Sequence, residues 1–375
     1  MTALDYAQAL IAFESPSSVS NLPITDWIEG KLHELGFETE RLEYDDANGA
    51  RKASVAGRVG PGDGGIAYFG HTDVVPAPDW FSDTHGPFDP HVTNGRLYGR
   101  GSCDMKGSIA CMLAAVEQVP TAALRQPVYI TCTADEEIGY GGAKSVAERS
   151  TLFRQMVAGR SRGIIGEPTM LEVIYGHKGT MMIRAVSRGR AAHSSTREGT
   201  NANLAMIPFL AEMKAIHDET EKDPAWHNDE FDPPTISWNI GINDFTYAAN
   251  ITPPQSVCTV SARAMPGQDM EGLIDRARKA AAAHGITFDL LNSHAPLYID
   301  RQSEFVQEML ALAGRTKAGT VAYGTDGCIL TALDNLLVCG PGDIAQAHTA
   351  DEFITLDQLE GGADVFTKLI RHWCC

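Results

Sequence analysis

Two histidines and four carboxylates stand where apolar or glycine-rich segments end. They are His71 in GHTDVV, Asp104 in YGRGSCDMKG, Glu136 and Glu137 in TADEEIG, Glu167 in IIGEP, and His348 in GPGDIAQAH. Imidazole and carboxylate donors of this kind suit zinc, and a carboxylate beyond the ligand count suits a general base. The reaction such a set proposes is metal-assisted hydrolysis at a two-metal centre. Asp73 lies two residues after His71, and in extended chain such positions share a face. It is placed to hold the ring nitrogen turned away from a metal. Glu136 and Glu137 are neighbours, so one can bind metal while the other faces a bound water. Two carboxylates this close to a core are costly unless a cation neutralises them. Each residue alone has a plainer reading: His71 as a turn residue, Asp104 as a helix N-cap, the glutamates as solvated loop acids. The set carries the chemistry, not any one member.

The elements that must position these residues are legible in the pattern. Residues 1–178 alternate helix and strand. An amphipathic helix carries Ala3, Leu4, Ala7, Leu10 and Ile11 on one face, and a second runs from Thr25 to Leu35 with Gly36 as its stop. Apolar strands are expected at 54–59, 66–70, 128–133 and 163–165, and a buried helix at 106–119 directly after Asp104. Such alternation argues an α/β sandwich with a mainly parallel sheet, whose chemistry sits beyond the carboxyl ends of the strands. His71 follows IAYFG, the glutamate pair follows VYITCTA, and His348 follows LLVCGPGD. Position and chemistry agree.

Residues 179–291 have another rhythm. A strand at 181–187 precedes a helix at 202–217, strands at 235–242 and 256–263, a helix at 270–284 and a strand at 287–291. That β-α-β-β-α-β order is a split βαβ, ferredoxin-like α+β module inserted into the first domain, which resumes over 292–375. A last helix contains Leu356, Leu359, Phe366, Leu369 and Ile370, with Gly361 and Gly362 as weak points. The polar, proline-rich segment 221–234 is expected to be a mobile excursion.

Composition narrows the function classes. With 43% hydrophobic residues in 375, a sizeable core in two domains is the natural prior. The formal charge of −18 supplies no basic field for nucleic acid or anionic membranes. No apolar run is long enough to span a bilayer, and the N-terminus lacks the basic region of a signal peptide. These features fit a soluble cytoplasmic enzyme. The eight cysteines form no CxxC pair and read as reduced, buried thiols, with Cys374 and Cys375 in an exposed tail. Two competing motifs fail. Gly159-Arg160-Ser161-Arg162-Gly163 matches G-x-S-x-G, but a helix precedes it and a strand follows, the reverse of a nucleophile elbow. YGRGSC lacks the third glycine and the long strand of a dinucleotide site.

Taken in order, GHTDVVP, GRGSCDMKG, TADEEIG and IIGEPT resemble the metal-site motifs of the M20 family of dinuclear zinc hydrolases, and the likeness covers nearly the whole chain. The resemblance implies that His71 and Glu167 hold one zinc, Glu137 and His348 the other, and that Asp104 bridges. Glu136 is then the general base, Asp73 orients His71, and a cis peptide follows Asp104. Carboxylate-rich sites also accept cobalt or manganese. The inserted module resembles the family's lid and dimerisation domain, which implies a homodimer. His193 in GRAAHSS matches the residue that stabilises the oxyanion of a partner's site. Asn250 in ANITP and Arg263 in SARAMPG match residues that contact the substrate carboxylate. Within the family, YGHKGT, FDPPTISWNIG and CGPGDIAQAHTADEF are most similar to the branch that releases acetate from N-acetylornithine in arginine biosynthesis. The expected substrate is therefore an N-acyl amino acid, with N-succinyl-diaminopimelate or a dipeptide as alternatives. A protein that kept the fold as a non-catalytic metal-binding or regulatory form would lack a ligand or the base; this chain has all six residues. Two departures fall in segments that meet substrate: Asp244 to Ala248 replaces two glycines before ANI, and Thr325-Asp326-Gly327 replaces Thr-Glu-Ala.

Overall fold

The computed structural model describes residues 1–375 and divides them into two compact units. The first comprises Met1–Gly176, Tyr298–Gly319 and Thr325–Cys375, and the second His177–Leu297 with Thr320–Gly324.

The first unit begins with helices α1 (Ala3–Ile11) and α2 (Leu22–Glu34), then strands β1 (Glu38–Asp45), β2 (Arg51–Val59), β3 (Ile66–His71), β4 (His91–Thr93) and β5 (Arg96–Tyr98). Helix α3 (Lys106–Glu117), β6 (Val128–Thr133), α4 (Gly141–Arg149), α5 (Thr151–Ala158), β7 (Arg162–Ile165) and β8 (Val173–His177) follow. The second unit is built from β9 (Thr180–Arg188), α6 (Ala202–Lys222), β10 (Ser237–Asn243), β11 (Gln255–Arg263), α7 (Met270–Ala283) and β12 (Thr287–His294). The chain closes with β13 (Leu297–Tyr298), α8 (Glu304–Ala313), β14 (Ala318–Val321), β15 (Leu336–Val338), β16 (Phe353–Thr355) and α9 (Leu356–Cys374).

The main sheet has nine strands in the order β1-β2-β6-β3-β7-β15-β8-β13, with β14 also beside β8. Its centre, β6-β3-β7-β15, is parallel throughout. The β1–β2 hairpin and β8 add antiparallel flanks. All six residues of β3 are buried, as a strand covered on both faces requires. On one face Tyr68 lies under α3, its hydroxyl donating to Ser108 at 2.8 Å. On the other, Phe69 packs edge-on against Phe153 of α5. The result is the α/β/α class expected. Helix α3 is buried over Lys106–Val116, so its apolar residues face neighbours all round. Each fully buried leucine or isoleucine there contributes about 1.5–3 kcal/mol relative to exposure.

The expected last helix is α9, continuous through Gly361 and Gly362. A Cβ on Gly362 would come within 2.9 Å of the Cys111 sulfur and 3.0 Å of Pro341, so its bareness lets α9 lie close on α3. Two local expectations need correction, on Cys374 and on segment 221–234. Cys374 is not in an exposed tail: it is fully buried, its thiol donates to the Pro127 carbonyl, and its own carbonyl accepts from Arg125 and Gln126 N–H. Segment 221–234 is anchored. The Lys178 ammonium donates to the Pro233 and Thr235 carbonyls at 2.8 and 2.6 Å, and Gln268 donates to the Trp226 carbonyl. Polarity in sequence was there matched by buried donors from distant residues.

The second unit is a four-stranded antiparallel sheet, order β10-β11-β9-β12, whose strands alternate with helices as a split βαβ module does. Met181, Ile183, Cys258 and Val260 on one face pack against Phe209, Met213 and Ile216 of α6 and Ile274 and Ala277 of α7. No helix of the protein is long and apolar enough to cross a membrane.

Candidate metal centre

Four neighbouring parallel strands run the same way, so their carboxyl ends open on one edge of the sheet. His71 ends β3, Glu136 and Glu137 follow β6 after a short turn, Glu167 lies two residues past β7, and His348 is on the loop after β15. Asp104 joins them from the turn that starts α3, and its peptide bond to Met105 is cis.

Asp104 lies in the middle. One carboxylate oxygen is 3.0 Å from His71 Nε2 and the other 3.4 Å from His348 Nε2. The same His71 nitrogen is 3.6 Å from Glu167, and the same His348 nitrogen is 3.1 Å from Glu137. Ligand atoms about 2.0–2.2 Å from one tetrahedral zinc lie roughly 3.4 Å apart, so these separations fit ligands converging on shared cations. The donor atoms of His71, Asp104 and Glu137, and separately of His71, Glu136 and Glu167, all lie within 4.8 Å of one another. Glu136 is thus close enough to reach whatever the others hold.

His71 is oriented by Asp73, though chiefly through the main chain. Its Nδ1 donates to the Asp73 carbonyl at 2.9 Å, while the nearer carboxylate oxygen is 3.7 Å away. The Asp73 carboxylate instead accepts the N–H of Glu136 and of Glu137, at 3.1 and 3.3 Å, and the Ser17 hydroxyl at 2.7 Å. One buried acid therefore positions both glutamates. The preceding Asp135, in a left-handed conformation, is held by the Tyr44 hydroxyl and the buried Lys52 ammonium, each at 2.8 Å.

The electrostatics follow from this crowding. Burial, and then the charge of Glu167, push Glu136 well above the usual carboxylate range. Burial and the charge of Asp104 do the same to Glu167. Burial opposes the Asp104 anion, but hydrogen bonds from His348 and His71 hold its pKa below the usual range. Burial opposes the His71 cation too, yet Glu167 and Asp104 outweigh it and raise the imidazole. Hydrogen bonds to Asp104 and then Glu137 raise His348 to about 10. Carboxylates that must borrow protons in this way are the donor set a pair of divalent cations fits.

Sequence reasoning passed over Arg100 and Glu352, which clamp the Asp104 turn. It marked Asp326 only as a departure from the family pattern; the residue is buried, and its carboxylate accepts the Thr133 hydroxyl at 2.6 Å. Burial raises Asp326 to about 6. Glu352 stands four residues after His348, but no local pattern marks an acid as buried.

In the second unit, His193 and Asn250 come together. A bridge pairs His193 with Ile251, and Ser194 N–H donates to the Asn250 carbonyl. His193 is exposed, and its Nδ1 takes the N–H and faces the hydroxyl of Ser195, which turns Nε2 outward. Arg263 is not with them. It ends β11 opposite Ser237, whereas Asn250 precedes the start of that strand. At about 3.4 Å per residue, roughly 25 Å of strand separates the two.

Residues 67–372 match Peptidase family M20/M25/M40, so the chain belongs to this family of hydrolases. It is 32% identical over 376 residues to an acetylornithine deacetylase of Proteus mirabilis (strain HI4320), spanning 98% of this chain and 94% of the relative. To an acetylornithine deacetylase of Myxococcus xanthus it is 30% identical over 378 residues, 97% and 96% of the two chains. Among solved structures, a tripeptidase from Staphylococcus aureus subsp. aureus Mu50 superposes with a TM-score of 0.74 at 20% identity, covering 99% of this chain and 97% of that one. That likeness speaks for the fold.

The raised groups set a pH dependence. Glu136, Glu167, His71 and His348 all bind protons more tightly in the metal-free folded protein than when unfolded. Their contribution to stability is full below their unfolded pKa values and is lost as pH rises through the folded ones, up to about 10 for His348. Asp104 has the opposite sign, but only below its ordinary 3.8. Cations need these groups deprotonated, so the gain from adding Zn²⁺ should widen as pH rises from about 6 to about 8.5. Thermal melts of chelator-treated and Zn²⁺-loaded protein across that range measure it. A gap that narrows with pH would contradict this charge assignment.

Proposed function

We propose that this chain hydrolyses the amide bond of an N-acyl amino acid, and that N-acetylornithine is its substrate, giving ornithine and acetate. The observation that carries the reading is Glu136, a carboxylate beside a converging set of two imidazoles and three other carboxylates. Full-length identity of about 30% to acetylornithine deacetylases supports the substrate.

His71 and Glu167 would hold one cation, Glu137 and His348 the other, and Asp104 both. When bound, such a pair supplies Lewis acidity, lowering the pKa of water toward neutrality and polarising the acyl carbonyl. Zinc suits the nitrogen and oxygen donors, and cobalt or manganese is accepted by the same set. Glu136 removes a proton from the water as its oxygen closes on the acyl carbon. It then delivers that proton to the amide nitrogen as the C–N bond breaks. Asp73 holds the main chain of Glu136 in register for both transfers. His193 Nε2 donates to the developing oxyanion, an interaction of a kind worth about 3–4 kcal/mol.

The lid residues support a homodimer. His193 and Arg263 stand at opposite ends of one sheet, so a single copy cannot offer both to one small substrate. A second copy can supply the His193 and Asn250 end. Exposed Leu204, Ile207 and Ile242 provide apolar surface for such an association.

A second reading is a carboxypeptidase or dipeptidase of the same family, and Asp326 is the departure from the deacetylase pattern that raises it. Its side chain is one methylene shorter than the glutamate of the deacetylase pattern, and it lies against Thr133 at the end of β6. A panel with added Zn²⁺ decides between them: kcat/KM should be highest for N-acetylornithine against N-succinyl-diaminopimelate and dipeptides. Faster dipeptide cleavage would establish the second reading instead.

Subunit complementation tests the roles together. Glu136→Gln and His193→Ala homodimers should each be nearly inactive while retaining both cations. Co-refolded, they should recover roughly a quarter of wild-type activity, because half the dimers are mixed and each has one intact site. No recovery from well-folded mixed dimers would contradict action of His193 across the dimer.

A further inference from the structure

The Asp104 turn and the His348 loop are far apart in sequence, yet one buried ion pair joins them. Glu352 is fully buried. One of its carboxylate oxygens accepts the N–H of Cys103 at 2.9 Å and of Asp104 at 3.0 Å. The other accepts the N–H of Gly101 at 3.0 Å and the Arg100 guanidinium at 2.6 Å. Arg100 is 2% exposed, and its other terminal nitrogen donates to the Thr349 carbonyl at 3.0 Å. Thr349 directly follows His348. The strand pair β5–β16, with Tyr98 opposite Phe353, brings the two segments side by side just before the clamp.

From this geometry we infer that Glu352 and Arg100 are positioning residues that set the second cation position, the one between Asp104, Glu137 and His348. The inference rests on the two-cation reading above. The first position has separate support: His71 ends a buried strand, and its Nδ1 is fixed by the Asp73 carbonyl. His348 has no such strand. It is half exposed, in a left-handed turn, one residue from the carbonyl that Arg100 holds. Arg100 and Glu352 therefore fix the chain on both sides of the Asp104–His348 contact. Releasing them moves His348 relative to Asp104 and leaves His71 where it is.

The chemistry of the clamp makes it sensitive to conservative change. A glutamine at 352 would turn an NH₂ group toward two donors that need an acceptor, leaving buried N–H groups unpaired. A lysine at 100 keeps the charge but cannot span Glu352 and Thr349 as the planar guanidinium does.

The test is a titration of chelator-treated protein with Co²⁺ alone, followed by its visible absorption, for wild type, Glu352→Gln and Arg100→Lys. Wild type should bind two equivalents. Each variant should bind the second about ten- to a hundred-fold more weakly, the usual scale for groups that orient metal ligands, and the first with a smaller loss, since Asp104 serves both. In steady-state assays kcat should fall with KM little changed at limiting metal, and excess Co²⁺ should restore most of it. Arg100→Lys is the variant read if Glu352→Gln does not fold. Two equivalents bound as tightly as in wild type, or equal weakening of both, would overturn the clamp alone. A wild type that binds fewer than two would overturn the two-cation reading and the clamp with it.

Discussion

The arrangement depends on the repulsion among acids brought to one edge of a parallel sheet. Asp104, Glu136, Glu137 and Glu167 meet there because β6, β3 and β7 end together and α3 begins above them. Without cations, the protein settles this charge by raising Glu136 and Glu167 and by leaning His71 and His348 on Asp104. Bound divalent cations would settle it more completely, which ties the chemistry of the site to the stability of the fold. With the cations held by the other five residues, Glu136 would be the acid left over to take a proton from water.

Around that edge stands a set of buried groups with one shared task, holding main chain. Asp73 gathers the amides of Glu136 and Glu137, and Lys52 and Tyr44 pin Asp135 before them. Glu352 gathers the amides of the Asp104 turn. Asp73, Lys52 and Glu352 are charged groups taken out of water and repaid by several strong hydrogen bonds, an arrangement that tolerates little displacement. The second unit is organised differently. Its apolar core lies on one face of an antiparallel sheet, and its functional candidates are divided between the two ends of that sheet.

Much of this was legible in the sequence because the signals were periodic or dense. The β3 run IAYFG, the α3 pattern after Asp104 and the β-α-β-β-α-β rhythm from residue 181 each name their element. The ligands announce themselves by standing at the ends of those elements. What was not legible depends on partners distant in sequence. Glu352 reads as a loop acid until Arg100 and three amides surround it, and segment 221–234 reads as mobile until the Lys178 ammonium reaches its carbonyls. Gly362 reads as a weak point of its helix until Cys111 and Pro341 fill the space beside it. Asp73 was found, but its carbonyl and carboxylate divide the work, a division that no spacing rule reveals.

The central claim is that six residues from four strand ends and one helix start form a single two-cation site. Anomalous scattering from crystals grown with Zn²⁺, collected above and below the zinc absorption edge, addresses it directly. The account predicts two peaks about 3.5 Å apart, one against His71 and Glu167 and the other against Glu137 and His348, with Asp104 between them and Glu136 bound to neither. A single peak, or a peak with Glu136 among its ligands and Asp104 outside them, would contradict it.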